Sequence, residues 1–288
     1  MNRFIAFLYM FLIALALLAQ GSDKILVSYD YVYPNTHGKI RTLKMSLIAS
    51  PSEARYYNET SLWVDSLKST PEGNAKYMEI IKKACMTVGP DGVVNWDMRK
   101  GPTKKTHLYV FTELGEGKVA VYDKYGDEQG HYTEPIEEQV WTICGDSVKT
   151  VLGYDCVMAE CDYHGRHWKA WFAPEIPMPF GPWKFRGLPG LVLKAEAEGG
   201  FGFEASGIEN TDRTITPMYF RDDYPKVDRK KALNNAEYFK NNEESILNAQ
   251  GQRVKIYTTD DNGNKIETPK YDGRKHSLEP DYKMKESK

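Results

Sequence analysis

Val157-Met158-Ala159-Glu160-Cys161-Asp162-Tyr163-His164-Gly165-Arg166-His167-Trp168-Lys169-Ala170-Trp171-Phe172 is the stretch that decides the fold. A two-residue turn at His164-Gly165, with Gly supplying positive φ, sets Cys161 opposite Trp168, Ala159 opposite Ala170 and Val157 opposite Phe172. These pairs make one apolar face. The other face matches Asp162 with His167 and Glu160 with Lys169, favourable cross-strand charges. A slip of one residue would move every apolar side chain to the wrong face, so the register is well specified.

Downstream, Leu188-Pro189-Gly190-Leu191 has the chemistry of a type II turn: Pro fixes φ at its second position and Gly accepts positive φ at its third. Pro189 also pushes Leu188 towards an extended conformation. The run Gly187, Leu188, Pro189, Gly190, Leu191 therefore reads as a rigid corner that delivers a core strand. Around Gly199-Gly200 a two-residue loop would put Glu196 opposite Phe203 and mix the faces. A three-residue loop, Glu198 to Gly200, groups Leu191, Leu193, Ala195 and Ala197 with Phe201, Phe203 and Ala205, with one Gly in the left-handed region. Trp183 and Phe185 alternate just upstream of the corner. With Trp171 and Met158 they form the candidate ligand or partner surface, although core packing is the default for such aromatics.

Upstream, Lys24 to Tyr33 and Ile40 to Ile48 are rich in Val, Ile and Tyr around Pro34-Asn35-Thr36-His37-Gly38, a hairpin with a longer loop. Ser69 or Thr70 followed by Pro71 and Glu72 starts a helix. Its face Tyr77, Ile80, Ile81, Ala84 is expected to pack on the sheet. His107 to Leu114 and Lys118 to Tyr125 are two more strands, followed by a dense β region from Val140 to Ile208. Asp228 to Ala249 reads as a second helix with Leu233, Ala236 and Phe239 inward and Gly251 as its stop. Asp261-Asn262-Gly263-Asn264 is a turn between two weak strands. The division is residues 1–21 as a signal peptide, 22–222 as a β-rich domain with an inserted helix near 71–86, and 223–288 as a C-terminal helix and polar extension.

The leader rests on Met1-Asn2-Arg3, an apolar run from Phe4 to Ala19, and the small residues Ala19 and Gly21. The run is short for a bilayer span, which needs about 20 residues, so the mature chain is expected to have no transmembrane segment. Hydrophobic residues make up 41% of the 288 and charged residues 27%, enough to bury a core. A net charge of −2 excludes a broad basic surface, and nucleic acid is not an expected partner. An exported chain meets an oxidising compartment, so Cys85, Cys144, Cys156 and Cys161 are disulfide candidates, in three possible pairings. Cys156 and Cys161 lie five apart on one strand and so point to opposite faces. That argues against bonding each other, and leaves one of them to bond Cys144 or Cys85.

Cys156-x4-Cys161-x2-His164-x2-His167 has metal-like spacing, but the hairpin register separates these groups, and no metal or other cofactor is expected. There is no Gly-x-Ser-x-Gly elbow, His-Glu-x-x-His or phosphate loop. Asp155, Glu160, Asp162 and Glu175 read as a solvated strand face, so no catalytic residue is assigned and an enzyme is not expected.

Gly187 to Val192, led in by Gly181-Pro182-Trp183-Lys184-Phe185, resembles the signature of the GLPGLI (Porph_ging-type) family of Gram-negative envelope proteins, with Val192 in place of Ile. Gly153-Tyr154-Asp155-Cys156 is similar to its Gly-Tyr-x-Cys step. Gly165-Arg166 to Trp171 is similar to its Gly-Arg…Ala-Trp strand, and Pro174-Glu175-Ile176-Pro177 leads in as family members do. The resemblance is continuous from about Val140 to Leu193. Ser52-x-x-x-Tyr56-Tyr57 and His276-Ser277-Leu278-Glu279 resemble further family features more loosely. The Gly-Tyr-x-Cys step and its two strands are also similar to carriers of the LolA-like class. The resemblance implies a mainly β (α+β) fold, a strongly curved antiparallel sheet or half-barrel with a few packed helices. The family implies no biochemical activity. The export signal, the aromatic β-rich segment and the absence of catalytic motifs lead to the expectation of a non-catalytic envelope protein, periplasmic or outer-membrane-associated, that binds an apolar ligand or an envelope protein. The alternative is a structural accessory of an outer-membrane transport or secretion system with no small-molecule ligand.

Overall fold

In a computed structural model, residues 23–136, 139–215, 218–259 and 264–283 are described; the leader and all of the expected Asp261-Asn264 turn except Asn264 lie outside them. Eleven strands form one antiparallel sheet: β1 (Ile25–Pro34), β2 (Ile40–Ala49), β3 (Glu53–Tyr57), β6 (Tyr109–Glu113), β7 (Lys118–Tyr125), β8 (Glu128–Pro135), β9 (Thr142–Val151), β10 (Tyr154–Tyr163), β11 (Arg166–Ala173), β12 (Leu191–Ala197) and β13 (Phe201–Asn210). Their order is β8-β7-β6-β3-β2-β1-β13-β12-β11-β10-β9. A small ribbon, β4 (Met86–Val88) with β5 (Val94–Trp96), stands apart. The helices are α1 (Glu59–Lys68), α2 (Pro71–Cys85), α3 (Arg229–Ala249) and the short α4 (Gly273–His276).

The sheet is open but strongly curled. Nine strand steps separate β8 from β10, roughly 43 Å on a flat sheet at about 4.8 Å per step. Yet the Tyr163 hydroxyl at the end of β10 donates to Glu134 of β8 at 3.1 Å. Only a sheet that bends back towards itself can make that contact.

Period-two alternation divides its faces. Leu47, Tyr56, Val110, Val119 and Val121 join the inner core, while Ile48, Tyr57, Tyr109, Phe111, Ala120 and Tyr122 build an outer cluster with Leu62 of α1. Pro174 to Gly190 runs through the concave side. There Trp183 and Phe185 pack on Trp168 and Phe203, with ring centroids 4.9–6.4 Å apart.

The β10–β11 hairpin has the register read from the sequence, Val157 opposite Phe172 through Asp162 opposite His167. Its turn places both His164 (φ 51°) and Gly165 (φ 81°) in the left-handed region. The β12–β13 loop spans Glu198 to Gly200, with Ala197 opposite Phe201. Both of its glycines, not one, take positive φ.

Four expectations need correction. Gly190 does not take positive φ, so the type II turn is absent; Gly187 does, at 83°. Gly190 is required for closeness instead, since a Cβ there would lie 2.3 Å from the Ala173 carbonyl oxygen. Helix α2, capped by Thr70 as expected, packs on α1 rather than on the sheet: Tyr77, Ile81 and Cys85 cluster with Val64. The intervening helix has no strong apolar periodicity of its own. The cysteines are all free thiols. Cys144 sits opposite Met158, Cys156 opposite Lys149 and Cys161 opposite Trp168, while Cys85 lies in the helical cluster, so no two stand directly across a ladder. Strict alternation also fails along β10, where Cys156, Ala159, Cys161 and Tyr163 are all buried. The change of phase falls at the register shift between Val157 and Met158.

The two sheet edges differ. β8 is bridged at His131 by the segment entering α3: the His131 amide donates to the Pro225 carbonyl at 2.9 Å, and the Val227 amide to the His131 carbonyl at 2.8 Å. β9 has no strand beyond it among the described residues and exposes Ile143 and Val148.

Candidate functional site

Lys184 and Arg186, interleaved with Trp183 and Phe185, are fully buried at 0% and 1% exposure. Simple strand alternation would leave two of these four residues in solvent. Here Trp183 takes left-handed backbone (φ 56°), a conformation costing about 1–3 kcal/mol for a non-glycine residue. The turn this produces buries all four side chains.

Lys184 Nζ lies 2.8 Å from Glu279 and 3.0 Å from Glu134. It also donates to the Tyr132 hydroxyl at 3.3 Å and sits over the Trp183 ring at 4.8 Å. Arg229, in the first turn of α3, donates to Glu279 at 2.8 Å, lies 3.3 Å from Glu134 and pairs with Asp281. Arg186 is held separately, by the carbonyls of Lys184 and Pro135, each at 2.8 Å. His164, in the hairpin turn, stands 3.0 Å from Glu134 and 3.4 Å from Asp281.

Burial alone would raise the Glu134 and Glu279 carboxyls, but the Lys184 ammonium and the His164 ring outweigh it and hold both below the usual carboxylate range. Asp281 is likewise lowered: its hydrogen bonds with His164 and Arg229 overcome burial. For His164, burial and Lys184 push its pKa down, yet the Asp281 and Glu134 partners raise it above 6.5.

His164 Nε2, Glu134 Oε1 and Glu279 Oε2 lie within 4.8 Å of one another, a possible metal donor set. Arg229 already engages the same two carboxylate oxygens, at 3.3 and 2.8 Å. A metal ion would therefore face a guanidinium, and the donors are neutralised by the chain's own cations instead. The cluster clamps the C-terminal segment to the concave side: Arg166 donates to the Ser277 carbonyl, and Tyr132 to Glu279 at 3.1 Å.

Beside this clamp, between β1, β7 and α3, is a cavity of about 720 Å³. Tyr31, Tyr33, Leu108, Tyr125, Trp183 and Phe239 form much of its wall. Polar groups line it too, among them Thr106, His107, Asp123, Lys240 and Glu243. The Tyr125 hydroxyl and His107 Nδ1 are buried there with no hydrogen-bond partner. Burial holds His107 down at about 4, hence neutral, and pushes Asp123 up to about 6.

Of the surface residues expected from the sequence, Trp183 reaches this cavity, whereas Phe185 is wholly inside the core and Trp171 is buried. Met158 is half-buried on β10. The Gly187–Leu191 corner lies away from the cavity. The charged clamp and the cavity's α3 wall have no counterpart in the sequence reading, because their members come from five distant segments. The one local signal was Lys and Arg set between aromatics in a Gly/Pro-bounded stretch that cannot be a regular strand.

A family model described as "Protein of unknown function (Porph_ging)" matches residues 158–194, the hairpin and the Gly187–Leu191 corner together. Comparison with curated proteins gives no match. Among solved structures, "Structure of PNGF-II in C2 space group" is similar at 14% identity and a TM-score of 0.48, over 75% of this chain and 33% of that one. This chain thus spans a third of the length of that relative. A DUF1329 family protein from Desulfovibrio piger ATCC 29098 is similar at 12% identity and a TM-score of 0.22, over 70% of this chain and 91% of that one. These likenesses are too distant to bear on activity.

Proposed function

We propose that the protein is an exported, non-catalytic component of the bacterial cell envelope that holds an apolar ligand between its curled sheet and α3. The observation that carries this reading is the cavity. Its roughly 720 Å³ volume, aromatic wall and unpartnered Tyr125 and His107 atoms suit a small-molecule site, in which the aromatics hold an apolar guest and the polar residues around them orient it. The apolar run Phe4 to Ala19 supports export, and no described helix is long and apolar enough to cross a membrane. A non-catalytic role is supported by the clamp carboxylates Glu134, Glu279 and Asp281, each paired with Lys184 or Arg229.

The test is organic extraction and mass spectrometry of the protein purified from native envelopes, alongside Ala236→Trp. Ala236 lines the cavity from α3, and an indole there projects into it and takes part of its volume. A stoichiometric apolar compound in the wild type, missing from a folded Ala236→Trp variant, is the expected result. An empty wild-type protein would overturn the ligand and favour a purely structural accessory, a reading that the dense Trp168–Trp183–Phe185–Phe203 packing of the rest of the concave side would suit.

A further inference from the structure

The ribbon β4–β5 joins α2 to the chain leading into β6, and its register is Met86 opposite Trp96, Thr87 opposite Asn95 and Val88 opposite Val94. Successive side chains on a strand alternate in direction. Met86, Val88, Val94 and Trp96 therefore share one face, and Thr87 with Asn95 the other. The apolar face is uncovered: Val88 is 59% exposed, Val94 49% and Trp96 52%. Val93 beside the turn and Met98 just beyond Trp96 are similarly exposed. A two-stranded ribbon is marginally stable alone, and the surrounding chain supplies no cover.

The charge around it is distinctive. From Pro71 to Lys105 the sequence holds Lys76, Lys82, Lys83, Arg99, Lys100, Lys104 and Lys105 against Glu72, Glu79, Asp91 and Asp97. This stretch is net positive in a chain whose total is −2. Lys82 and Lys83 end α2 just before the ribbon, Lys100 follows it, and all three are exposed. Arg99 is occupied by Asp97, at 2.7 Å.

We propose that this ribbon docks the protein on an anionic lipid surface. Trp96 and the valines would enter the headgroup boundary, where Trp is favoured, while Lys82, Lys83 and Lys100 meet lipid phosphates. Apolar burial and cationic attraction are the two terms of peripheral membrane binding. Along the chain the apolar face is flanked by exposed Lys82, Lys83 and Lys100 against Asp91 at its turn, and this excess of cations favours an anionic lipid surface over a second copy of the chain carrying the same charges. The inference stands on the ribbon alone and is independent of the cavity.

The test is flotation of the exported, processed protein, its N-terminus verified by mass, with vesicles of phosphatidylcholine alone or mixed equally with phosphatidylglycerol. The expected result is retention on the anionic vesicles with a blue shift of tryptophan emission. Val94→Ser/Trp96→Ser should abolish both without lowering the unfolding midpoint, since both positions are exposed. Lys82→Gln/Lys83→Gln/Lys100→Gln should weaken retention about a hundredfold. Failure of the wild type to float, equal retention on neutral vesicles, or retention unchanged in the double-serine variant would each overturn the proposal. So would a dimer in solution that disappears with Trp96→Ser, which would assign the face to a second copy.

Discussion

Lys184 and Glu279 meet at 2.8 Å in the interior, tying the Trp183–Arg186 turn to the last described segment of the chain. An ammonium at 0% exposure survives only because Glu134, Glu279 and the Tyr132 hydroxyl surround it. Removing Lys184 leaves Glu134 and Glu279 to share Arg229 and His164, one buried cation short.

Lys184→Met is therefore expected to cost about 3–5 kcal/mol, read as a lower urea midpoint. Adding Glu279→Gln should recover part of that loss, because two groups in contact are not additive. Equal and independent losses from the two substitutions would contradict the clamp.

Acid should weaken the fold. Glu134, Glu279 and Asp281 have pKa values lowered from 4.5, 4.5 and 3.8 by Lys184, His164 and Arg229 acting against burial. Groups lowered in the folded state stabilise it above their unfolded values and lose that contribution as pH falls through the folded ones. Stability measured by denaturant should thus decline on acidification below about pH 4.5, and Glu134→Gln should flatten the decline.

His164 works in the opposite direction. Burial and Lys184 oppose its charge, yet Asp281 and Glu134 raise it above 6.5. Its contribution is complete below pH 6.5 and fades as pH rises through the raised value. His164→Gln should remove this alkaline fall while leaving the carboxylate-driven acid limb, which a pH series of melting curves would separate.

The two glycines of the corner should respond differently. Gly190→Ala drives a methyl against the Ala173 carbonyl, backbone that cannot easily retreat, and should cost about 3 kcal/mol or more. Gly187→Ala meets nothing within 4 Å and pays only for its positive φ, about 1–2 kcal/mol. Thermal unfolding of the two variants ranks them.

Thiol reactivity should be graded by burial. Burial pushes the Cys161 thiol up to about 12 and raises Cys156 as well, so neither offers much thiolate. Cys144, half-buried on the edge strand β9, should alkylate first under native conditions. Peptide mapping after brief iodoacetamide treatment checks this, with Cys161 labelled only on unfolding.

The hairpins were legible because short-range pairing rules act on neighbours in sequence. Opposite charges at Glu160 and Lys169, and apolar partners at Ala159 and Ala170, leave one workable register. Thr70-Pro71 likewise announced the start of α2. Strand β8 escaped notice because His131, Thr133 and Gly130 break any apolar run, and its pairing is set by β7 across the ladder. The clamp escaped for a different reason: Glu134, His164, Lys184, Arg229 and Glu279 each look like surface charge until the curl of the sheet gathers them. The corner kept its place but not its turn type, since the demand on Gly190 comes from Ala173, a residue of the preceding strand.

The unequal sheet edges fix how copies of this chain could add to one another by backbone pairing. Growth into a filament requires every copy to offer one edge and receive at another. Here the Pro225–Val227 segment obstructs β8 at His131, which leaves β9 as the unobstructed edge of the large sheet. Two molecules joined β9 to β9 about a two-fold axis would present only the obstructed β8 edges of that sheet for further growth. Strand addition through the large sheet therefore favours a pair over a filament.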